Sequence, residues 1–125
     1  MKVLKILESV SRYIDVKVEE GLFGGPDDPL AVLASRLAEK IIAERREHGL
    51  PLKAIRVTRP DLPDEEDEGS EIVFRLKLAC GPREAFDWLK RLSYREYEID
   101  QSLTEDEREL FASIFRIAID WEKRP

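Results

Sequence analysis

The densest group of side chains that could do chemistry is acidic. Asp61, Asp64, Glu65, Glu66, Asp67 and Glu68 crowd one short run, with Glu71 just beyond it. Carboxylates about 6 Å apart repel by about 0.7 kcal/mol per pair even at the dielectric of water, so the run resists burial without cations. A calcium loop would need alternating ligands around a central glycine, and that spacing is absent. Consecutive acids on an extended chain point to different sides and do not converge on one ion. The expectation is therefore a solvated loop. Its length, and the charge of Asp64, Glu65, Glu66, Asp67 and Glu68, make it a candidate partner contact rather than a metal site.

Other reactive residues are sparse. His48 is the only histidine, and Cys80 the only cysteine. One histidine excludes a histidine pair for a metal, and a cation in the last turn of a helix suits the dipole. Cys80 precedes a helix start, which can lower a thiol pKa, but a small buried residue at a strand end is the simpler expectation. Gly24-Gly25 lacks the Gly-Lys-Ser/Thr ending of a phosphate loop, and Asp27 and Asp28 would repel an anion there. Asp15, Asp100 and Asp120 are scattered acids. Two of them converging could hold a divalent ion, as in phosphodiester-cleaving enzymes, although nothing in their spacing requires it. No cofactor is expected.

These residues are positioned by elements that the hydrophobic pattern predicts. Residues 2–13 carry Val3, Leu7 and Val10 on one helical stripe, followed by a short strand signal at Ile14, Val16 and Val18. Asp28 as N-cap and Pro29 at the first helical position open a helix. Leu30, Leu33, Ala34, Leu37, Ala38, Ile41 and Ile42 form its buried face, while Glu39, Glu44 and Arg46 fall among the polar remainder. His48-Gly49, with Pro51 beyond, closes it. Ile55 and Val57, then Ile72, Phe74, Leu76 and Leu78, alternate with Arg56, Thr58, Arg75 and Lys77. That period of two predicts a hairpin buried on one face, with Arg56, Arg75 and Lys77 on the other.

Pro82 opens the next helix, with Phe86, Leu89 and Leu92 as its expected core stripe. It runs to about Gln101 or breaks near Ser93–Tyr97. Thr104 and Glu107 have capping-box spacing. Beyond them the pattern supports a helix to about Phe111 followed by a strand over Ser113–Trp121. The alternative is a wholly helical C-terminus and a two- or three-stranded sheet. The first reading is preferred because a two-stranded sheet with so long an apolar face is marginal alone.

The element order predicts one α+β domain over 1–125. A short N-terminal helix precedes a ferredoxin-like split βαβ sandwich, an antiparallel sheet with helices on one face. At this length a core forms without disulfides or metals. No apolar run approaches a membrane span or a signal peptide, so a cytoplasmic location is expected. Asparagine is absent, and Gln101 and Met1 stand alone among 38% charged residues, a bias of heat-adapted proteins. The net charge of −6 argues against general nucleic-acid binding.

The expected function is binding without catalysis, to a protein partner or by self-association. One concrete form is an acidic, antitoxin-like or immunity-like partner of a basic protein, steered by charge. The competing expectations are a carboxylate-based metal-dependent hydrolase or nuclease, and anion or nucleic-acid binding by the Arg56–Arg75–Lys77 face. RNA-binding sheets stack bases on exposed aromatic residues, and this face is expected to have none.

Overall fold

Residue types fix both ends of the longest core helix. In the computed structural model, which describes residues 5–25, 27–59 and 71–122, helix α2 (Pro29–His48) starts at Asp28. The Asp28 carboxylate accepts hydrogen bonds from the backbone N–H of Leu30 at 3.0 Å and of Gly24 at 2.8 Å. It ends at Gly49, whose φ of 76° only glycine adopts cheaply. Leu33, Ala34, Leu37, Ala38, Ile41 and Ile42 are buried as the periodicity requires. Glu44 departs from the expected polar remainder and is fully buried.

The remaining elements are α1 (Lys5–Glu8), β1 (Asp15–Val18), β2 (Leu52–Thr58), β3 (Ile72–Leu78), α3 (Pro82–Gln101), α4 (Glu105–Ile114) and β4 (Phe115–Trp121). The N-terminal helix is a single turn, although Leu7, Val10 and Ile14 all enter the core. Helix α3 is continuous. Its buried face is rotated from the expected stripe: Ala85, Leu92 and Ile99 are buried, while Phe86 is 57% exposed. The sequence offers both faces, and packing selects the one that seats Ala85 close to its neighbours. The C-terminal segment is helix then strand. Both halves of the capping box form, Thr104 Oγ1 accepting from the Glu107 N–H and Glu107 Oε1 from the Thr104 N–H. The helix runs to Ile114, beyond the expected Phe111, and β4 follows without a loop.

The class is α+β, as the element pattern implies, but the sheet is not the ferredoxin-like one. Its order is β1-β2-β3-β4. Strands β1 and β2 are parallel, β2 and β3 antiparallel, and β3 and β4 parallel. A split βαβ unit has a third strand between the two that a helix joins. Here each crossover returns to the adjacent slot, so two unsplit βαβ units meet back to back at the β2–β3 hairpin. The sheet is therefore mixed rather than antiparallel.

The helices share one face of this sheet. Glu44 of α2 reaches Arg91 and Arg95 of α3, and Phe111 of α4 packs on Phe115 beside Phe74. Two βαβ units that run in opposite directions, step the same way across a sheet and keep their helices on one face have opposite hands. One crossover is therefore left-handed, a hand that about 2% of such connections take.

The core lies between the sheet and the helices. Ile55, Val57, Phe74, Leu76 and Leu78 are each fully buried on the helix side, and each large apolar side chain so buried contributes roughly 1.5–3 kcal/mol. No helix among the described residues is long and apolar enough to cross a membrane.

Candidate binding face

The face of the sheet without helices is built from the alternate residues of each strand, and the register aligns them in rows. One row is Asp15, Ala54, Lys77 and Asp120, in which the charges alternate. The next is Lys17, Arg56, Arg75 and Ala118. A third is Thr58, Val73 and Arg116. The middle row sets three cations side by side on neighbouring strands about 4.8 Å apart. Like charges directly opposite destabilise a sheet.

Among the described residues, local anions relieve only part of this. Arg75 lies 3.8 Å from Asp120, and Arg116 lies 3.1 Å from Glu71. Between Leu52 and Ala54 the ladder slips by one residue, a bulge that leaves Lys53 without a partner on β3. There Lys53 donates to Glu122 at 2.6 Å, and Lys77 lies 3.9 Å from the same carboxylate. The Lys53 hydrogen bond, with the charges of Lys53 and Lys77, holds the Glu122 carboxyl below the usual carboxylate range. Lys17 and Arg56 have no anion within ion-pair distance among the described residues.

Ala54 is short beside its long neighbours, and the surface dips there. The resulting hollow, about 560 Å³, is lined by Arg56, Arg75, Lys77, Asp15, Asp120 and Trp121 along with Ala54. Trp121 is 49% exposed at the rim. Alternation assigns Trp121 to the helix side of the sheet, but at the strand end it reaches the hollow. Three cations against two carboxylates leave the open hollow with a small positive excess, and its two guanidinium groups can donate charge-assisted hydrogen bonds to a carboxylate or phosphate.

Arg56, Arg75 and Lys77 are thus brought together as their alternation requires, with Thr58 on the same face and Arg116 at its β4 edge, where its side chain also borders the helix side. Asp64, Glu65, Glu66, Asp67 and Glu68 lie outside the described residues. The participation of Lys17 was readable in the alternation of Val16 and Val18 around it. That of Trp121 was not, since period two points it the other way. The scattered acids do not converge. Asp15 and Asp120 are on the two edge strands, three strand spacings or roughly 14 Å apart, and Asp100 on α3 faces Arg108 at 3.4 Å. No group of three metal-ligating side chains occurs among the described residues.

Cys80 is buried, and burial pushes its thiol up, with the charge of Glu84 adding to the effect. That is the reverse of what a nucleophile needs. His48 is exposed in the last turn of α2. The Gly24 N–H is taken by Asp28, so the carboxylate occupies the place a phosphate would need.

Compared with known proteins, the chain matches no family model, no curated protein and no solved structure.

Proposed function

We propose that the protein is a binding module whose working surface is the open sheet face, and that its partner is an acidic segment of another protein. The observation that carries this reading is the cationic row Lys17–Arg56–Arg75. It stands in register across three strands, in a chain whose net charge is −6. Such a row lowers the stability of the free protein and is relieved by a bound anion, a trade typical of binding surfaces. Beside it lies the hollow of about 560 Å³, and exposed Trp121 supplies an apolar rim of the kind enriched at interfaces. A nucleic acid would draw on the same cations, but stacking platforms in the centre of the face are missing: that region holds Ala54, Thr58 and Ala118. The converse reading, an acidic protein neutralising a basic one, rests on Asp64–Glu68, outside the described residues.

The test is anisotropy titration at low salt with a fluorescent hexaglutamate peptide and, separately, an oligouridylate of equal charge. The reading expects the peptide to bind, to be weakened at least tenfold by R56A/R75A, and to weaken as salt rises. The same double variant should melt no lower than the parent, because removing the row removes repulsion. Peptide affinity unchanged by R56A/R75A would refute the assignment. Tighter binding of the RNA would transfer the face to nucleic acid.

A further inference from the structure

A second concavity lies on the helix side, away from the cationic row. It is an open groove of about 500 Å³ between the C-terminal half of α3, α4 and the start of β4. Phe111, Phe115, Ile117 and the ring of Tyr97 make its walls mainly apolar, and Glu96 projects among them. The other charges of this groove are engaged. Asp100 is 3.4 Å from Arg108, and Arg116 is held by Glu71 and by the carbonyl oxygens of Ala112 and Phe115. Glu96 has neither a hydrogen bond nor an ion pair among the described residues. Burial pushes its carboxyl up to about 7, against the opposing charge of Arg116.

The rim extends this groove along α3. Tyr97 and Tyr94 are 57% and 61% exposed and stack with ring centroids 6.3 Å apart. Phe86 continues the same helical stripe, with the Lys90 ammonium 4.9 Å from its ring centroid. Spacing of 86, 90, 94 and 97 places all four on one side of the helix. Large aromatic side chains left in water along one stripe, next to a half-buried acid, are the ingredients of an interface hot spot.

We propose that this groove docks a segment of a partner protein through a lysine or arginine side chain. The alkyl stem lies along Phe111, Ile117 and Tyr97, and the cationic head meets Glu96. Two features select this occupant. An apolar groove with an unpaired acid at its wall is complementary to an apolar stem with a cationic tip, the shape of those two side chains. The exposed tyrosine faces add a cation–π surface at the mouth. A purely apolar segment would leave the carboxyl desolvated and unpaired, and an acidic one would be repelled. The proposal is independent of the open-face reading, since no residue of the cationic row takes part.

Near neutrality a proton occupies the place the cation would take, so docking should release it. The titratable and charged groups facing this place are Tyr97 and Asp100 of α3 and Arg116 of β4. Helix α4 contributes Phe111 and Ala112 to the wall, with Arg108 behind Asp100. The test is isothermal titration at pH 6.5 with an alternating leucine–lysine hexapeptide, in two buffers of different ionisation heat. A control peptide carries norleucine in place of lysine.

The parent protein should bind the lysine peptide at least tenfold more tightly than the control and release protons on binding. E96Q should lose both the preference and the proton release. Y97S should weaken binding while leaving the proton release. E105Q/E109Q, which removes two exposed charges from α4, should bind like the parent and so separates docking from general attraction to an acidic protein. Binding by E96Q equal to the parent, or no binding by the parent, overturns the proposal. Self-association of the parent that Y97S abolishes would also overturn it, in favour of a second copy as the occupant.

Discussion

Replacing Glu44 by glutamine tests the joint between the two long helices. Glu44 is the one charged side chain buried among the described residues, and its carboxylate accepts from the Nε of both Arg91 and Arg95, the latter at 2.7 Å. The amide of E44Q can accept from one guanidinium but turns its own N–H groups toward the other. One charge-assisted hydrogen bond is lost, at about 1.5–3 kcal/mol, and a buried donor is left unmet at about 1–3 kcal/mol. Two circumstances reduce the sum. Arg91 is 44% exposed and can rehydrate, and Arg95 keeps Glu98 at 2.7 Å. The expected net loss is about 2–3 kcal/mol, which at roughly 3–5 °C per kcal/mol lowers Tm by about 6–15 °C.

The control E44L should lie within about 1 kcal/mol of the parent, because an apolar side chain fills the site and both arginines can turn to water. The pH dependence carries a further signature. Burial alone would raise the Glu44 carboxyl, but the hydrogen bonds and charges of Arg91 and Arg95 outweigh it, and the net shift is downward. A carboxyl lowered in the folded state stabilises fully above its unfolded value, and the contribution is lost as pH falls through the folded one. The gap between parent and E44Q should therefore be widest near pH 7 and close below the usual carboxylate range. Urea unfolding at pH 7 and at pH 3 measures both. An E44Q protein within 0.5 kcal/mol of the parent at pH 7 would refute the account of Glu44 as the pin between α2 and α3.

The strand order is open to direct chemical test. In a C80S background, K77C/D120C should form a disulfide on mild oxidation, because the two residues are Cα partners on adjacent strands; failure to cross-link, with an intact fold, would mean that β3 and β4 are not neighbours. Glu96 should leave an opposite trace to Glu44 in the pH profile. An acid raised to about 7 in the folded state favours the protonated protein, so stability should fall as pH rises from the ordinary carboxylate value to about 7 and then level. E96Q should lack that decline, and an unchanged slope of Tm against pH between 5 and 7 would show that Glu96 is solvated.

What the sequence made legible was what neighbouring residues decide among themselves. The ends of α2 follow from Asp28, Pro29 and Gly49, and the start of α4 from Thr104 and Glu107. Local hydrogen bonding and backbone preference act there without help from the rest of the chain. The two faces of the β2–β3 hairpin follow from strict alternation, which placed Arg56, Arg75 and Lys77 together before any partner strand was known. The same logic favoured strand for the stretch ending at Trp121. The core stripe of α3 is not decided locally, because Phe86 and Ala85 both continue a helical period with Leu92. Only the neighbouring elements choose between two faces about 100° apart.

Sequence alone therefore determined the element types, most of their ends and the cationic character of one sheet face. Beyond the β2–β3 hairpin, tertiary structure alone decided which strands are neighbours. That choice turns Lys17 and Arg56 into a row with Arg75 and separates Asp15 from Asp120 by the width of the sheet. It also buried Glu44 and half-buried Glu96, two glutamates of the same local type with opposite fates. One meets two guanidinium groups across a helix joint. The other faces a mainly apolar groove whose arginine, Arg116, is held by Glu71. Periodicity assigns a residue to a face, but the field at that face comes from side chains distant in sequence, and only the packed fold brings them there.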